Sequence, residues 1–220
     1  SGYWRETVDR WHGEGLPLSS PPSIPYAGIQ SDVIGDFLGF DKEPERIPVD
    51  LGPIPSHVPR VLEEDERYWT VVDELGVIKR HCKSGDGYSF IYIDHPLKTR
   101  KDWENIKKKY DPHDPRRYPT FWGDELLEYY ENADHPIGLM YIGPRHVHSL
   151  SFFGWFMVAM GLKNLCVAYF KDPEWIHEMI DFFADFYIEA TRFAIEQAKV
   201  DYVMFWEDMA YKTGSMISPR

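Results

Sequence analysis

The run of residues 202–206 constrains the fold most, because every position in it is apolar or aromatic. A strand without polar alternation is typical of a parallel sheet that helices cover on both faces. A long helical pattern ends near Lys199, so the local order is helix, short turn, strand. Glu207 and Asp208 follow directly, at the end of the strand where open α/β sheets and α/β barrels carry their chemistry. We therefore predict a functional site at this point.

A second all-apolar run covers residues 137–142, and Gly143 and Pro144 end it. Apolar helical segments follow near 152–160 and 162–170, and Asp172, Pro173 and Glu174 make a strong helix start of N-cap, N1 proline and first-turn acid. From there one face stays apolar for about seven turns. The order strand, helices, strand predicts a right-handed crossover, with 137–142 and 201–206 parallel and neighbouring.

Other segments predict smaller elements. Short helices are expected at 3–15 and 29–38, a short strand at 46–50, and helices at 101–110 and 124–131. Extended runs at 68–73, 76–83 and 88–93 are rich in Val, Ile and aromatic residues, and a turn signal at 84–87 separates the last two. So short a turn joins only antiparallel strands. Residues 76–93 are therefore predicted to form a β-hairpin. The acidic run 63–66 is interpreted as a solvated face.

Net charge indicates which partners the protein can bind, and the cysteines and apolar runs indicate its compartment. The chain has 24 basic and 36 acidic residues and a formal net charge of -12. Such a surface repels nucleic acid and anionic lipid, so neither is an expected partner. Cys82 and Cys166 share no motif spacing and are interpreted as reduced thiols. No signal peptide and no apolar run of spanning length occurs, which predicts a cytoplasmic protein.

Glu207 and Asp208 are the candidate catalytic residues. Adjacent residues of a strand point to opposite faces, so one should face the pocket while the other pairs with a neighbour such as Lys212. The alternative is a carboxylate that caps a helix or binds loop amides. Both interpretations remain open at this stage.

Arg145, His146 and His148 follow the other apolar strand and are expected on the same rim. His146 and His148 share a face in an extended chain, a spacing that can bind a metal ion. Arg145 suits a substrate carboxylate, because guanidinium matches carboxylate geometry, and a surface salt bridge is its alternative role. Phosphate-loop, dinucleotide-binding and G-x-S-x-G motifs do not occur in the sequence.

Several segments carry a family pattern. They are Gly143-Pro144 after a strand, Tyr169-Phe-Lys-Asp-Pro173, Glu207-Asp-Met-Ala-Tyr-Lys-Thr-Gly214 and Ile217-Ser-Pro219, together with the segments 3–17 and 68–76. Spread over most of the chain, they resemble the uroporphyrinogen decarboxylase superfamily. Segments 3–17 and 68–76 resemble the decarboxylase-like branch of this superfamily, which is often found beside corrinoid proteins.

The resemblance implies an α/β fold, namely a (β/α)8 TIM barrel of uroporphyrinogen-decarboxylase type that is incomplete in this chain. Such a barrel takes about 250 residues. The helix expected after residues 201–206 is missing, and the family's first strand would precede Ser1. We expect a single domain over 1–220. This domain should be part of a barrel and begin with an irregular N-terminal region. The hairpin near 76–93 should lie outside the barrel wall.

The resemblance also implies an activity. Decarboxylases of this superfamily bind substrate carboxylates with an arginine-rich segment and a pocket tyrosine. In this chain the segment that matches the arginine-rich one is residues 2–7, and Arg5 is its only arginine. The position of the pocket tyrosine is occupied by Phe152 or Phe153. We therefore predict a corrinoid-dependent methyltransferase that acts on a small methylated, for example methoxylated, substrate. The alternatives are a porphyrinogen decarboxylase and a barrel fragment that binds a small molecule without catalysis.

The methyltransferase interpretation implies a corrinoid supplied by a partner protein and zinc as a candidate metal, with the family's His-x-Cys motif expected beyond Arg220. A homo-oligomer is a further expected assembly. We predict that Glu207, His146 and His148 converge on one pocket, where zinc would act as a Lewis acid. Without metal, Glu207 among Trp206, Phe152 and Phe153 would act as a general acid toward an ether oxygen.

Overall fold

The structure is a computed structural model that describes residues 3–17, 26–27, 32–42, 44–84, 90–139 and 151–218. Its helices are α1 (Arg5–Gly13), α2 (Asp32–Leu38), α3 (Arg100–Lys107), α4 (Asp124–Glu131), α5 (Phe153–Met160), α6 (Leu162–Lys171) and α7 (Pro173–Gln197). Its strands are β1 (Tyr3–Trp4), β2 (Tyr26–Ala27), β3 (Glu45–Arg46), β4 (Arg60–Glu64), β5 (Tyr68–Val72), β6 (Ile78–Cys82), β7 (Phe90–Asp94), β8 (Ile137–Leu139), β9 (Tyr202–Val203), β10 (Ala210–Tyr211) and β11 (Gly214–Ser215).

The long helix α7 begins where the sequence predicts. The Asp172 side chain accepts a hydrogen bond from the Trp175 amide, Pro173 occupies the first turn, and Glu174 adds an acid there. These groups satisfy a free N–H and complement the helix dipole. The buried stripe of α7 follows the helical period, and it contains Ile176, Met179, Phe183, Phe186, Tyr187, Ala190 and Ala194.

A three-stranded parallel sheet lies next to this helix, in the order β3–β8–β9. Gly138 pairs with Tyr202 and Leu139 pairs with Val203, so the prediction that these two segments are parallel neighbours is confirmed. Gly138 is required by this packing, because a Cβ at its position would lie 2.6 Å from the carbonyl oxygen of Tyr202. A glycine is therefore what lets the two backbones approach.

A separate four-stranded sheet is antiparallel throughout, in the order β4–β5–β6–β7. The pairing of β6 with β7 confirms the predicted hairpin. Strand β4 was not predicted, since its acidic residues suggested only a solvated face. It is an edge strand with every residue exposed, so the solvation was predicted correctly and the strand was missed.

The predicted (β/α)8 TIM barrel is wrong. The described residues form sheets of two, two, three and four strands, and none of these sheets closes into a barrel. A barrel of this type needs eight parallel strands, each followed by a helix. Here the strands between residues 60 and 94 pair antiparallel, so they cannot be barrel-wall units, and the parallel strands among the described residues number three. The architecture is a mixed α/β fold.

The expected burial of residues 202–206 on both faces is also wrong. Val203 is 48% exposed, Phe205 53% and Trp206 46%. Only Tyr202 and Val203 are in strand β9. Burying an all-apolar segment stabilises the fold, but the sequence of the segment does not specify which element covers it.

A cluster of aromatic rings forms the centre of the core. The Phe183 ring lies 4.5 Å from that of Trp155, 5.0 Å from that of Tyr110 and 5.8 Å from that of Trp103, measured between ring centroids. All four side chains are buried. Aromatic pairs at these separations stabilise beyond their buried area. The cluster therefore ties α3, α5 and α7 together.

Helices α5 and α6 meet at Gly161, whose φ of +82° is a conformation that glycine adopts readily. Within the described ranges, no single helix is long and apolar enough to cross a membrane. These two helices reach that length and composition only together, as a pair bent by 109°.

Candidate functional site

The carboxyl ends of β8 and β9 meet at one edge of the parallel sheet. At these ends the Met204 amide donates to the Leu139 carbonyl at 2.9 Å, and at the amino ends the Asp201 amide donates to the Ile137 carbonyl at 2.7 Å. In open α/β sheets this edge is the usual place for a ligand. The residues that follow the two strands therefore form the candidate site.

Ser151 connects the start of α5 with the segment that follows β9. Its amide donates to the Trp206 carbonyl at 3.0 Å, and its hydroxyl oxygen accepts from the Trp206 amide at 3.2 Å. Ser151 is completely buried. These two bonds bring Glu207, the next residue, to the amino end of α5.

Glu207 caps helix α5. Its Oε1 accepts hydrogen bonds from the amides of Phe152 and Phe153, the latter at 3.0 Å, and its Oε2 accepts from the Gly154 amide at 2.8 Å. The residue at the N-cap position, Phe152, has no side-chain cap of its own. A carboxylate at a helix N-terminus satisfies free N–H groups and complements the dipole. The contacts favour the capping alternative, and a catalytic role for Glu207 stays a prediction.

The other predicted site residues are placed as follows. Asp208 is exposed, and the described residues show no ion pair between Lys212 and either carboxylate. Phe152 stacks on Phe205 with ring centroids 6.0 Å apart, and Phe153 is buried. The structure therefore brings Glu207 together with both phenylalanines, and Trp206 lies beside them as a half-exposed side chain.

Three predicted residues lie outside the described ranges, namely Arg145, His146 and His148. Arg5 begins helix α1, and the structure describes its backbone only. The described residues contain no group of three or more His, Cys, Asp or Glu side chains that could hold a metal ion. The convergence of His146 and His148 on Glu207, with zinc between them, stays a prediction.

An apolar groove lies beside this edge, between α7 and the ends of β8 and β9. Its volume is about 280 Å³. The apolar part of its lining consists of Leu139, Ile188, Ile195, Val203 and Phe205. We call this feature the α7 groove. It is close in size to the lower end of small-molecule sites, which are mostly apolar with a few polar groups.

Tyr187 is a buried residue of the α7 groove that carries a polar group. Its side chain contributes to the lining, yet its hydroxyl is buried and has no hydrogen-bond partner among the described residues. Burial raises the pKa of Tyr187 well above its ordinary value, and Tyr110 and Glu207 add to the effect. The phenol therefore stays neutral, so it is a hydrogen-bond donor throughout the physiological range.

The charges of the groove largely cancel. Arg192 pairs with Glu189, with 2.6 Å from Nη2 to Oε1 and 3.2 Å from Nε to Oε2. Glu196 adds one further negative charge to the lining. The Thr191 hydroxyl donates to the Tyr187 carbonyl at 2.7 Å and is thus already engaged. The groove therefore offers little to a ligand with several carboxylates.

The sequence pattern did contain a signal for this groove. Ile188 and Ile195 lie seven residues apart on α7, which places them on one side of the helix but away from the buried stripe. Both are about half exposed. A second apolar stripe on an amphipathic helix indicates a further contact, whereas the sequence prediction for α7 used only the first stripe.

The capping role of Glu207 predicts that its replacement affects stability. Glu207→Gln keeps the shape but replaces one acceptor oxygen by a donor that faces backbone N–H groups. We expect the free energy of unfolding to fall by about 1–2 kcal/mol. Urea unfolding monitored by tryptophan fluorescence measures this change. Asp208→Asn is the matched control, since this neighbouring carboxylate is exposed, and it should leave the transition unchanged. Equal midpoints for both variants and the wild type would contradict the assignment.

Comparison of the chain with protein-family models, with curated proteins and with solved structures finds no match. The resemblance to the uroporphyrinogen decarboxylase superfamily therefore stays a prediction based on sequence segments.

Proposed function

We propose that the protein binds a small, mainly apolar molecule that carries an oxygen acceptor, and that the α7 groove is its binding site. The observation that carries this proposal is an apolar groove at the carboxyl edge of a parallel sheet, with a buried phenol that has no partner among the described residues. A buried donor without a partner costs about 1–3 kcal/mol. A ligand oxygen that reached the Tyr187 hydroxyl, through a shift of the side chains that cover it, would recover this cost.

The class of ligand follows from shape and charge. Aromatic and aliphatic side chains suit a flat apolar ring, and a methoxy group supplies an ether oxygen without a charge. A methoxylated aromatic compound meets both requirements. A porphyrinogen does not, because its carboxylates need several cations, whereas Arg192 is paired with Glu189 and Glu196 is acidic. The groove thus supports the decarboxylase alternative less than it supports a methoxylated ligand.

The step from binding to catalysis rests on the sequence resemblance. In this proposal the protein is a corrinoid-dependent methyltransferase that removes the methyl group of the bound ether, with the corrinoid supplied by a partner protein. In this proposal the protein is cytoplasmic, which agrees with its acidic composition and with the free thiols of Cys82 and Cys166. A homo-oligomer, and zinc held by His146 and His148, belong to the same proposal. Demethylation of a methoxylated phenol only in the presence of a corrinoid protein would support it, and binding without turnover would favour a non-catalytic role.

Guaiacol, a methoxylated phenol, is a suitable probe of binding. In isothermal titration calorimetry we expect saturable binding to the wild type. Ile195→Glu should weaken binding by about tenfold or more, because the bound ligand would bury the new carboxylate in an apolar site without a partner. Tyr187→Phe should weaken it by about two- to tenfold, through loss of one hydrogen bond.

The control for Ile195→Glu is Val167→Glu, an equally drastic change at an exposed position of α6. It should leave the affinity unchanged. Uroporphyrin, a polycarboxylate, should give no saturable heat with any variant. If Ile195→Glu binds guaiacol as tightly as Val167→Glu does, the α7 groove is not the site. Tight binding of uroporphyrin would reverse the order of the two ligand classes.

A further inference from the structure

A cluster of ionisable side chains lies at the opposite, amino end of the parallel sheet. His135 precedes β8, and its imidazole contacts two carboxylates. Nε2 lies 3.1 Å from Oε2 of Glu45 on β3, and Nδ1 lies 3.2 Å from Oδ1 of Asp134. Its side chain is only 13% exposed. The proposed binding function does not involve these residues.

The same cluster includes groups from helix α4 and from the segment before β3. The Tyr129 hydroxyl of α4 donates to Oε2 of Glu45 at 2.6 Å, and the Lys42 ammonium pairs with Oδ2 of Asp134. The Glu45 amide also donates to the Pro136 carbonyl at 2.8 Å. His135 therefore lies where α4, β3 and β8 meet.

A polar cleft of about 470 Å³ opens beside the cluster. Besides Lys42, Tyr129, Asp134 and His135, its lining contains Glu125 and Glu128 of α4. The charged groups that surround His135 are therefore mainly acidic. Lys42 opposes this field, but it is paired with Asp134.

The number of N–H donors on the imidazole decides how many carboxylates it can hold. A protonated histidine donates from both ring nitrogens, so it can donate to Glu45 and Asp134 at once. A neutral histidine donates from one nitrogen and presents a lone pair from the other. That lone pair would face a carboxylate oxygen, which is a repulsive contact. Deprotonation thus breaks one of the two connections.

We propose that His135 is a pH-sensitive latch, which in its protonated form holds the connection between α4 and β8 to Glu45 of strand β3 and in its neutral form loosens this junction. The polar cleft, which His135 and Asp134 line together with α4, would open with the junction.

The direction of the pH dependence follows from the surrounding charges. Asp134, and after it Glu45, raise the pKa of His135 above its ordinary value. The partners respond in turn, since Lys42 and His135 lower the pKa of Asp134 to about 2, and Glu45 raises the pKa of Tyr129. A pKa that is higher in the folded state than in the unfolded state stabilises the fold at low pH. The latch is therefore fully closed below about pH 6.5 and is lost as the pH rises through the raised pKa.

NMR titration of the full chain tests the latch. The carbon-bound imidazole protons should report a pKa for His135 above about 6.5. As the pH rises through that pKa, the hydrogen-exchange protection factors of amides in α4 and β8 should fall by about two- to fivefold. This is the size of effect expected for loss of a partly exposed charge pair. His135→Gln should remove this pH dependence, whereas His177→Gln, at an exposed position of α7, should preserve it.

A second variant keeps the test decisive if His135→Gln does not fold. Glu45→Gln retains the histidine and removes one carboxylate, so the pKa of His135 should fall toward its ordinary value. A His135 pKa at or below about 6.5 in the wild type would overturn the proposal. Protection factors that change equally with pH in the wild type and in His135→Gln would also overturn it.

Discussion

Replacing Arg117 by methionine should lower the free energy of unfolding by about 3–5 kcal/mol, the largest effect that we expect from a single substitution. Arg117 is 1% exposed and is the last residue of a short 3-10 helix, Pro115–Arg117, between α3 and α4. Its Nη1 donates to the carbonyls of Asp50 and Gly52, at 2.9 and 3.0 Å. Its Nε donates to the Asp111 carbonyl, and its Nη2 donates to the Lys109 carbonyl at 3.4 Å.

This guanidinium connects three parts of the chain. Its hydrogen bonds hold the segment around Asp50 against the segment after α3, and the guanidinium carbon lies 4.5 Å from the centroid of the Phe186 ring on α7. Burial lowers the pKa of Arg117, and Asp50 and Asp114 oppose that shift. Methionine fills a similar volume but leaves the carbonyl oxygens without their donor, and each buried, unsatisfied acceptor costs about 1–3 kcal/mol.

Arg116→Met is the matched control for this substitution. Arg116 is the adjacent residue, and its exposed side chain pairs with Asp114, at 2.6 Å. Surface pairs of this kind contribute little to stability. Thermal unfolding should show Arg117→Met with a midpoint about 10 °C lower and Arg116→Met with an unchanged midpoint. Similar midpoints for the two variants would show that the carbonyl contacts of Arg117 do not stabilise the fold.

Replacing Gly138 by alanine should cost about 3 kcal/mol. The new Cβ would lie 2.6 Å from both the carbonyl oxygen and a ring carbon of Tyr202. The ring could rotate, but the carbonyl oxygen belongs to the backbone of the paired strand. The alanine would therefore push β9 away from β8 and disturb the edge of the sheet that carries the α7 groove.

Gly123→Ala is the same chemical change at a position that tolerates it. Gly123 is extended, with φ 179°, and a Cβ there would meet nothing within 4 Å. Urea unfolding should therefore show a clear loss for Gly138→Ala and a change within about 0.5 kcal/mol for Gly123→Ala. If Gly138→Ala unfolds at the wild-type midpoint, strands β8 and β9 are not as close as the structure places them.

Local chemistry predicted the parts of the fold that depend on neighbouring residues. The cap at Asp172 and the proline after it define the start of α7, and the apolar period defines its buried stripe. The two apolar runs around Gly138 and Tyr202 were predicted to be parallel neighbours, and they are. Each of these features follows from propensity and periodicity within one or two elements.

Features that depend on tertiary neighbours were not predictable in this way. Arg116 and Arg117 are adjacent and chemically identical, but only Arg117 is buried among carbonyl groups. The barrel prediction failed because the parallel strands among the described residues, β3, β8 and β9, form an open sheet of three, and the sequence of each strand does not specify how many others join it. For Glu207 the sequence indicated the end of a strand, whereas its bonds to α5 arise from a helix that begins more than fifty residues earlier.

Binding of a small apolar molecule in the α7 groove is the central claim, and a methyl NMR titration with guaiacol tests it most directly. Saturable chemical-shift changes are expected for the methyl groups of Leu139, Ile188, Ile195 and Val203, which line the groove. Ile91, an exposed residue of the antiparallel sheet, should not shift. Shifts that do not saturate, or saturable shifts at Ile91 without any at Ile188 and Ile195, would contradict the claim.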